Sequence, residues 1–255
     1  MKVVILAGGL GTRLAEETDL KPKPMVEIGG YPILWHIIKI YAHYGFKDFY
    51  VTLGYKGETI KRFFHDYLAL SGDLTIDFSN NKIDVKNRDC EDWNINLIDT
   101  GQNSMTGGRV KRLAEHLRGE TFMVTYGDGV CNVNIGELVK FHRSHGKLAT
   151  VTAVHPPARY GELLIGEDST AGFSEKPQAQ RGWINGGFLV FEPQILDYLS
   201  GDESILELDA LERLAREKQL VAYKHSDFWQ CVDTLHDKRQ LEQAWKNGNP
   251  PWKVW

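Results

Sequence analysis

The stretch from Val3 to Pro24, VVILAGGLGTRLAEETDLKPKP, constrains this chain more than any other. Val3-Val4-Ile5-Leu6 is a short continuous apolar run of the kind buried on both faces of a parallel sheet. Ala7 follows, and the backbone is then stripped of side chains at Gly8, Gly9 and Gly11, beside Thr12 and Arg13. Lys23 comes next, held between Pro22 and Pro24. A strand running into glycines lets main-chain N–H groups approach an anion closely, because no Cβ stands in the way. Arg13 offers a forked donor suited to phosphate, and Lys23 a compact point charge. The reading is a polyphosphate cradle at the carboxyl end of the first strand, against the alternative of a plain tight turn.

Two better-known cradles fit less well. No GxxxxGK[ST] run occurs. A dinucleotide GxGxxG beginning at Gly9 and Gly11 would need a glycine where Leu14 stands. It would also need an acid about 20 residues on, and Gly29 to Ile33 and Leu53-Gly54-Tyr55 hold none. A redox dinucleotide is disfavoured.

The string GGLGTRL followed by KPKPM resembles the sugar-1-phosphate nucleotidyltransferases. The longer run KPKPMVEIGGYPILWHI resembles the branch that transfers a cytidylyl group to glucose 1-phosphate. The resemblance implies a Rossmann-like nucleotide-diphospho-sugar transferase fold. Leu6 to Gly9, Gly11, Thr12, Arg13 and Lys23 would then bind the nucleotide, with Arg13, Lys23 and Asp128 acting in catalysis.

The remaining residues bound the fold. A chain of 255 residues carries one large α/β domain or two small ones, and with no Pro/Ser-rich linker it reads as one domain over 1–255. A net charge of −4 gives no basic footprint for nucleic acid, so local charge must draw an anionic substrate. Cys90, Cys131 and Cys231 lack metal-ligand spacing and read as reduced thiols of the cytoplasm. No run of about 18 apolar residues suggests a membrane span.

Helical spacing predicts helices over Pro32–Tyr44 and Glu58–Leu70, with a strand over Phe49–Leu53 between them. Strand and helix in alternation predict a doubly wound, mainly parallel sheet. Ser79 to Trp93 breaks the rhythm and reads as an insertion: a lid, a partner contact, a mobile loop or a solvated hairpin. Asn94–Asp99 resumes a strand. From Pro156 to about Phe191, short strands such as Glu162–Ile165 and Gly172–Glu175 predict a small antiparallel cap over the carboxyl ends of the sheet. Glu207–Lys218 is expected to form a helix, and a last one to run from Asp233-Thr234 to Trp245.

Four further segments carry candidate chemistry. Thr106-Gly107-Gly108-Arg109 precedes a helical run, so its N–H groups would lie at the positive end, or simply form the turn. Thr121–Tyr126 is an apolar strand ending in Gly127-Asp128-Gly129, where the acid suits a hard cation such as Mg²⁺ or forms a turn. Glu175-Lys176-Pro177 sets an acid beside a base, a sugar-phosphate contact or a surface ion pair. Asn185-Gly186-Gly187 interrupts an apolar strand, as a ligand contact or a bulge.

By resemblance, Thr106 to Arg109 and Gly127-Asp128 face the nucleotide. Tyr126, Glu175, Lys176, Asn185, Gly186, Gly187 and Trp229 serve the sugar phosphate. Asp128 and Asp233 hold Mg²⁺, although Asp233 has an alternative role capping the last helix with Thr234. The substrates implied are CTP and glucose 1-phosphate. The product implied is CDP-glucose, a precursor of deoxysugars in surface polysaccharides such as O-antigen. A homo-oligomer, trimer or hexamer, with a shared active site is also implied. The family's proline near Ala210 is absent, so no role passes to that turn. A uridylyl- or thymidylyltransferase and a non-catalytic nucleotide-sugar sensor are the alternatives.

Overall fold

The computed structural model describes residues 1–9, 21–87, 89–157 and 182–255, with the backbone alone of 162–165 and 171–174. In chain order the first half comprises β1 (Val3–Leu6), β2 (Glu27–Ile28), β3 (Tyr31–Pro32), α1 (Ile33–His43), β4 (Asp48–Leu53), α2 (Gly57–Ala69), β5 (Asp73–Asp77), β6 (Lys82–Lys86), β7 (Asn94–Asp99), α3 (Thr106–Arg112) and α4 (Ala114–Leu117). There follow β8 (Phe122–Tyr126), β9 (Gly129–Cys131), α5 (Ile135–His145), β10 (Ala149–Val154), β11 (Glu162–Ile165), β12 (Ala171–Ser174), β13 (Ile184–Phe191), α6 (Glu212–Arg216), β14 (Leu220–His225), β15 (Trp229–Cys231) and α7 (Leu235–Lys246).

Among the described residues, seven strands form one sheet in the order β14-β10-β13-β8-β1-β4-β7. The pairs β1–β4, β1–β8, β4–β7 and β10–β14 are parallel. β13 alone runs against both its neighbours, β8 and β10. The sheet is therefore mixed and mainly parallel, as the strand–helix alternation predicts. Alternate residues of β1 feed two cores. Val3 and Ile5 pack with Ile33, Ile37 and Tyr41 of α1 and Leu138 of α5. Val4 and Leu6 pack with Val110 of α3, Leu117 of α4 and Leu214 of α6. This is why the run is apolar throughout: a strand covered on both faces has no solvent side to alternate with.

Register fixes where a ligand can sit. Leu6 pairs with Thr52 on one side and Tyr126 on the other, so β1, β4 and β8 end at one level. The turns after them stand together at the carboxyl edge of the sheet, where open α/β sheets bind ligands.

Several boundaries differ from expectation. The 79–93 insertion supplies β6, which pairs with β5 just before it to make a hairpin set off from the main sheet. Gly107 and Gly108 lie inside α3 rather than before it. Residues 206–211 form a π-helical turn, and α6 starts only at Glu212. Within this turn the Asp209 carboxylate reaches back to accept from the Ile205 N–H at 2.7 Å. β11 and β12 pair antiparallel between β10 and β13, but Glu175, Lys176 and Pro177 lie outside the described residues. The tail packs on the body: Trp252 is fully buried. No helix among the described residues is long and apolar enough to cross a membrane.

Candidate active site

A cleft of about 580 Å³ opens at the carboxyl edge of β1 and β8. It is lined by Leu6 to Gly9, Lys23, Pro24, Gln102 to Thr106, Arg109, Tyr126 to Asp128 and Asp233. That volume suits a nucleotide-sized ligand. Gly11, Thr12 and Arg13 lie outside the described residues.

Lys23 sits in a tight 3₁₀ turn, Lys23–Met25, between the two prolines. Its Nζ donates to Asp128 Oδ2 at 2.5 Å and to Asp233 Oδ1 at 2.7 Å. The three side chains are mostly buried, at 13, 29 and 15 % exposure respectively. Burial works against the lysine's charge, but Asp128 and then Asp233 outweigh it, and its pKa stands above the ordinary lysine value. The two acids are far apart in sequence and are joined by a small ribbon. β9 pairs antiparallel with β15, Gly129 opposite Cys231, and the Val232 N–H donates to Asp128 O at 2.9 Å. Gly127 must lack a side chain here, since a Cβ would stand 2.9 Å from both Leu6 O and Pro24 Cγ.

Thr234, not Asp233, caps α7. Its hydroxyl accepts from the Asp237 N–H, and Asp237 Oδ2 accepts from the Thr234 N–H in return. The Asp233 carboxylate is thereby left to face the cleft, with one oxygen toward Lys23 and the other accepting from Cys231 Sγ at 3.4 Å. Burial and the two acids push the Cys231 thiol up to about 12, so it stays a neutral donor.

Arg109 is buried at the floor of the cleft. Its guanidinium donates to Gly8 O, Leu53 O, Thr100 Oγ1, Gly101 O and Gln102 O at 2.8–3.2 Å. Burial lowers its pKa from the ordinary arginine value, but it remains a cation, held by uncharged acceptors. The glycines of α3 make room for the loop behind them: a Cβ on Gly108 would stand 2.4 Å from Asp202 O, and one on Gly107 2.8 Å from Ser204 O. The Gly108 N–H already donates to Ser204 O at 3.0 Å.

On the β13 side, Asn185 Nδ2 donates to the Tyr126 hydroxyl at 3.3 Å, while its Oδ1 accepts from the Gly187 N–H at 2.9 Å. Gly187 has φ +80°, and the Tyr126 ring fills the space of its missing Cβ. Gly186 makes room for Val154, and its carbonyl accepts from Trp229 Nε1 at 2.7 Å. The β10–β13 register shifts between Val151 and Ala153, so a bulge is also present.

Sequence reasoning missed Glu207. Its carboxylate accepts from the Tyr126 hydroxyl and, at 2.7 Å, from Thr106 Oγ1. No spacing marks it; the π-helical turn that holds it is a local signal, and that appears in the backbone alone.

The residues present fit a hard divalent cation. One oxygen of each acid already converges on a single ammonium, and carboxylate oxygens are the donors such ions prefer.

The model of the nucleotidyl transferase family matches residues 2–246. A glucose-1-phosphate cytidylyltransferase of Salmonella typhimurium is 50% identical over 256 residues, covering 100% of both chains. A probable glucose-1-phosphate cytidylyltransferase of Bacillus subtilis is 41% identical, again over 100% of both. Among solved structures, HddC from Yersinia pseudotuberculosis, complexed with GMP-PN, superposes with a TM-score of 0.69 at 24% identity, covering 96% of this chain and 99% of that one. By the family model and by full-length identity alike, this chain belongs to the nucleotidyl transferase family.

Proposed function

We propose that this chain transfers a cytidylyl group from CTP to glucose 1-phosphate, giving CDP-glucose and pyrophosphate. The observation that carries the reading is the convergence of Lys23, Asp128 and Asp233 beside the glycine turn after β1. The substrates are those named for relatives matched along their whole length.

The chemistry needs no enzyme nucleophile. A sugar-phosphate oxygen attacks the α-phosphorus in line, a new P–O bond forms, and the bond to the β-phosphate oxygen breaks as pyrophosphate leaves. The obstacle is to hold two polyanions together, and positioning and fixed charge overcome it. Lys23 and Arg13 neutralise the triphosphate and the departing pyrophosphate. Arg109, a cation under the turn at Gly8, adds positive potential to the same wall. Asp128 and Asp233 would hold Mg²⁺, which when bound supplies charge neutralisation at the reacting phosphates. Tyr126, Asn185, Glu175 and Lys176 orient the sugar phosphate, with Gly186, Gly187 and Trp229 shaping that wall.

The protein acts in the cytoplasm as a homo-oligomer, with a neighbouring subunit completing the site. Exposed Leu74, Ile76, Phe78 and Ile83 on the β5–β6 hairpin support the assembly, since an uncovered apolar hairpin is poorly stable alone.

The test is pyrophosphate release with Mg²⁺, glucose 1-phosphate and each nucleoside triphosphate in turn. Release with CTP is expected. Release with UTP or dTTP instead would keep the transfer and remove the cytidylyl specificity. Silence with all of them would overturn the reading.

A further inference from the structure

Glu207 does not line the cleft, yet it joins two residues that do. Tyr126, the last residue of β8, donates its hydroxyl to one carboxylate oxygen, and Thr106, the first residue of α3, donates to the other at 2.7 Å. The two holds are unequal in importance. Thr106 Oγ1 also accepts from the Leu206 N–H at 2.9 Å, so backbone fixes it even without Glu207. Among the described residues the Tyr126 hydroxyl otherwise meets Asn185 Nδ2, at 3.3 Å, close to the limit for such a bond. Its ring also rests in the gap over Gly187.

Glu207 also sets polarity. Its carboxylate only accepts, so the Tyr126 proton must point to it. The phenol oxygen is then left as an acceptor for Asn185 and for any hydroxyl beside it in the cleft. The Tyr126 side chain is turned toward β13, where Asn185 Nδ2 meets its hydroxyl and its ring fills the space over Gly187.

We infer that Glu207 is a positioning residue for the sugar phosphate, acting through Tyr126 by fixing its hydroxyl as an acceptor. The inference rests on the transfer reaction proposed above. It predicts an effect on one substrate and not the other, which a merely structural role would not produce.

The experiment is steady-state kinetics of the full chain with Mg²⁺, varying glucose 1-phosphate and CTP separately. The wild-type chain is measured first, and its inactivity would refute the transfer reading and this inference with it. With an active wild type, Glu207→Leu should raise KM for glucose 1-phosphate about tenfold and leave KM for CTP within about twofold, the scale of one charged hydrogen bond passed partly to the substrate. Glu207→Gln keeps one acceptor oxygen and should raise the same KM only about threefold, still without moving KM for CTP, and it carries the test if the leucine variant does not fold. Tyr126→Phe should raise the same KM, and adding Glu207→Gln to it should do nothing more. Overturning results are an unchanged KM for glucose 1-phosphate in both Glu207 variants, an equal rise in both KM values, or additive losses in the double variant.

Discussion

The Arg109 guanidinium occupies the space over Gly8 that any other residue's Cβ would need. A Cβ on Gly8 would stand 2.1 Å from Arg109 Nη1 and 2.3 Å from Cζ. The glycine therefore serves the arginine, whose five acceptors tie the ends of β1 and β4 to the 100–102 loop. Gly54 serves it too, with its missing Cβ 2.6 Å from the same Nη1.

Gly8→Ala should thus cost about 1–3 kcal/mol, as overpacking of a filled site does, and should lower turnover by tilting the cradle. Gly9→Ala is the control, because none of the described residues lies within 4 Å of its Cβ position, and its stability should stay within about 0.5 kcal/mol of wild type. Urea midpoints of the two variants decide this. Equal loss in both would mean that the Arg109 contact does not set the glycine.

Lys23 and a divalent cation would compete for one place. The ammonium already meets one oxygen of Asp128 and one of Asp233 at 2.5–2.7 Å, and two cations do not share such a point. Lys23→Met leaves two nearby carboxylates facing each other uncompensated, a like-charge pair that a metal ion relieves. Added Mg²⁺ should therefore raise the melting temperature of Lys23→Met more than that of wild type. Turnover should fall about 10²–10³-fold, as for loss of other preorganised charges. A Mg²⁺ shift no larger than in wild type would show that the lysine does not occupy the cation's place.

Much of this fold is legible in sequence, for identifiable reasons. Val3 to Leu6 reads as a two-faced strand because both faces are covered, and Asn134 and Gly146 bracket α5 as cap and left-handed stop. Lys23, Asp128 and Asp233 stand out because each sits beside proline or glycine, or just past a strand. What sequence hides is partnership at a distance. Gly107 and Gly108 look like phosphate-binding glycines, but their shape answers the 202–206 loop. Asp233 looks like a cap until Asp237, three residues after Thr234, is seen to close the capping box. Glu207 sits in a run with no motif, and its bonds span about 80 and 100 residues. Hydrophobic period and turn chemistry are local; side-chain bonds between elements are not.

The aromatic tail contributes to the core. Trp252 stacks on Phe228 with ring centroids 5.7 Å apart, lies against Trp245, and donates Nε1–H to His36 Nδ1 at 3.3 Å. Trp252→Ala should cost about 3–5 kcal/mol, the range for emptying a large aromatic site. Trp252→Phe should cost roughly 1 kcal/mol beyond the change in packing, because it orphans a buried acceptor. Chemical denaturation measures both. A loss below about 1 kcal/mol for the alanine variant would mean that the tail is only laid against the surface.

Stability should fall in mild acid through His36. The ring is fully buried, accepts from Trp252 at Nδ1, and donates from Nε2 to Ile28 O at 2.9 Å. That is the bonding of a neutral imidazole, and protonation would set an N–H against the indole N–H. Burial, only partly offset by backbone carbonyls, brings the folded pKa down from 6.5 to about 4. Above 6.5 both folded and unfolded chains hold the ring neutral and the group contributes no slope. Between 6.5 and about 4 the unfolded chain binds the extra proton and the folded chain does not, so stability drops as pH falls, by about 3 kcal/mol across the window. His142 and His145, also lowered by burial, add to the fall with the same sign. Urea midpoints at pH 7.5, 5.5 and 4.5 should trace this decline. His36→Gln should be less stable than wild type at pH 7.5 yet show a shallower decline. An unchanged slope in that variant would remove His36 as the cause.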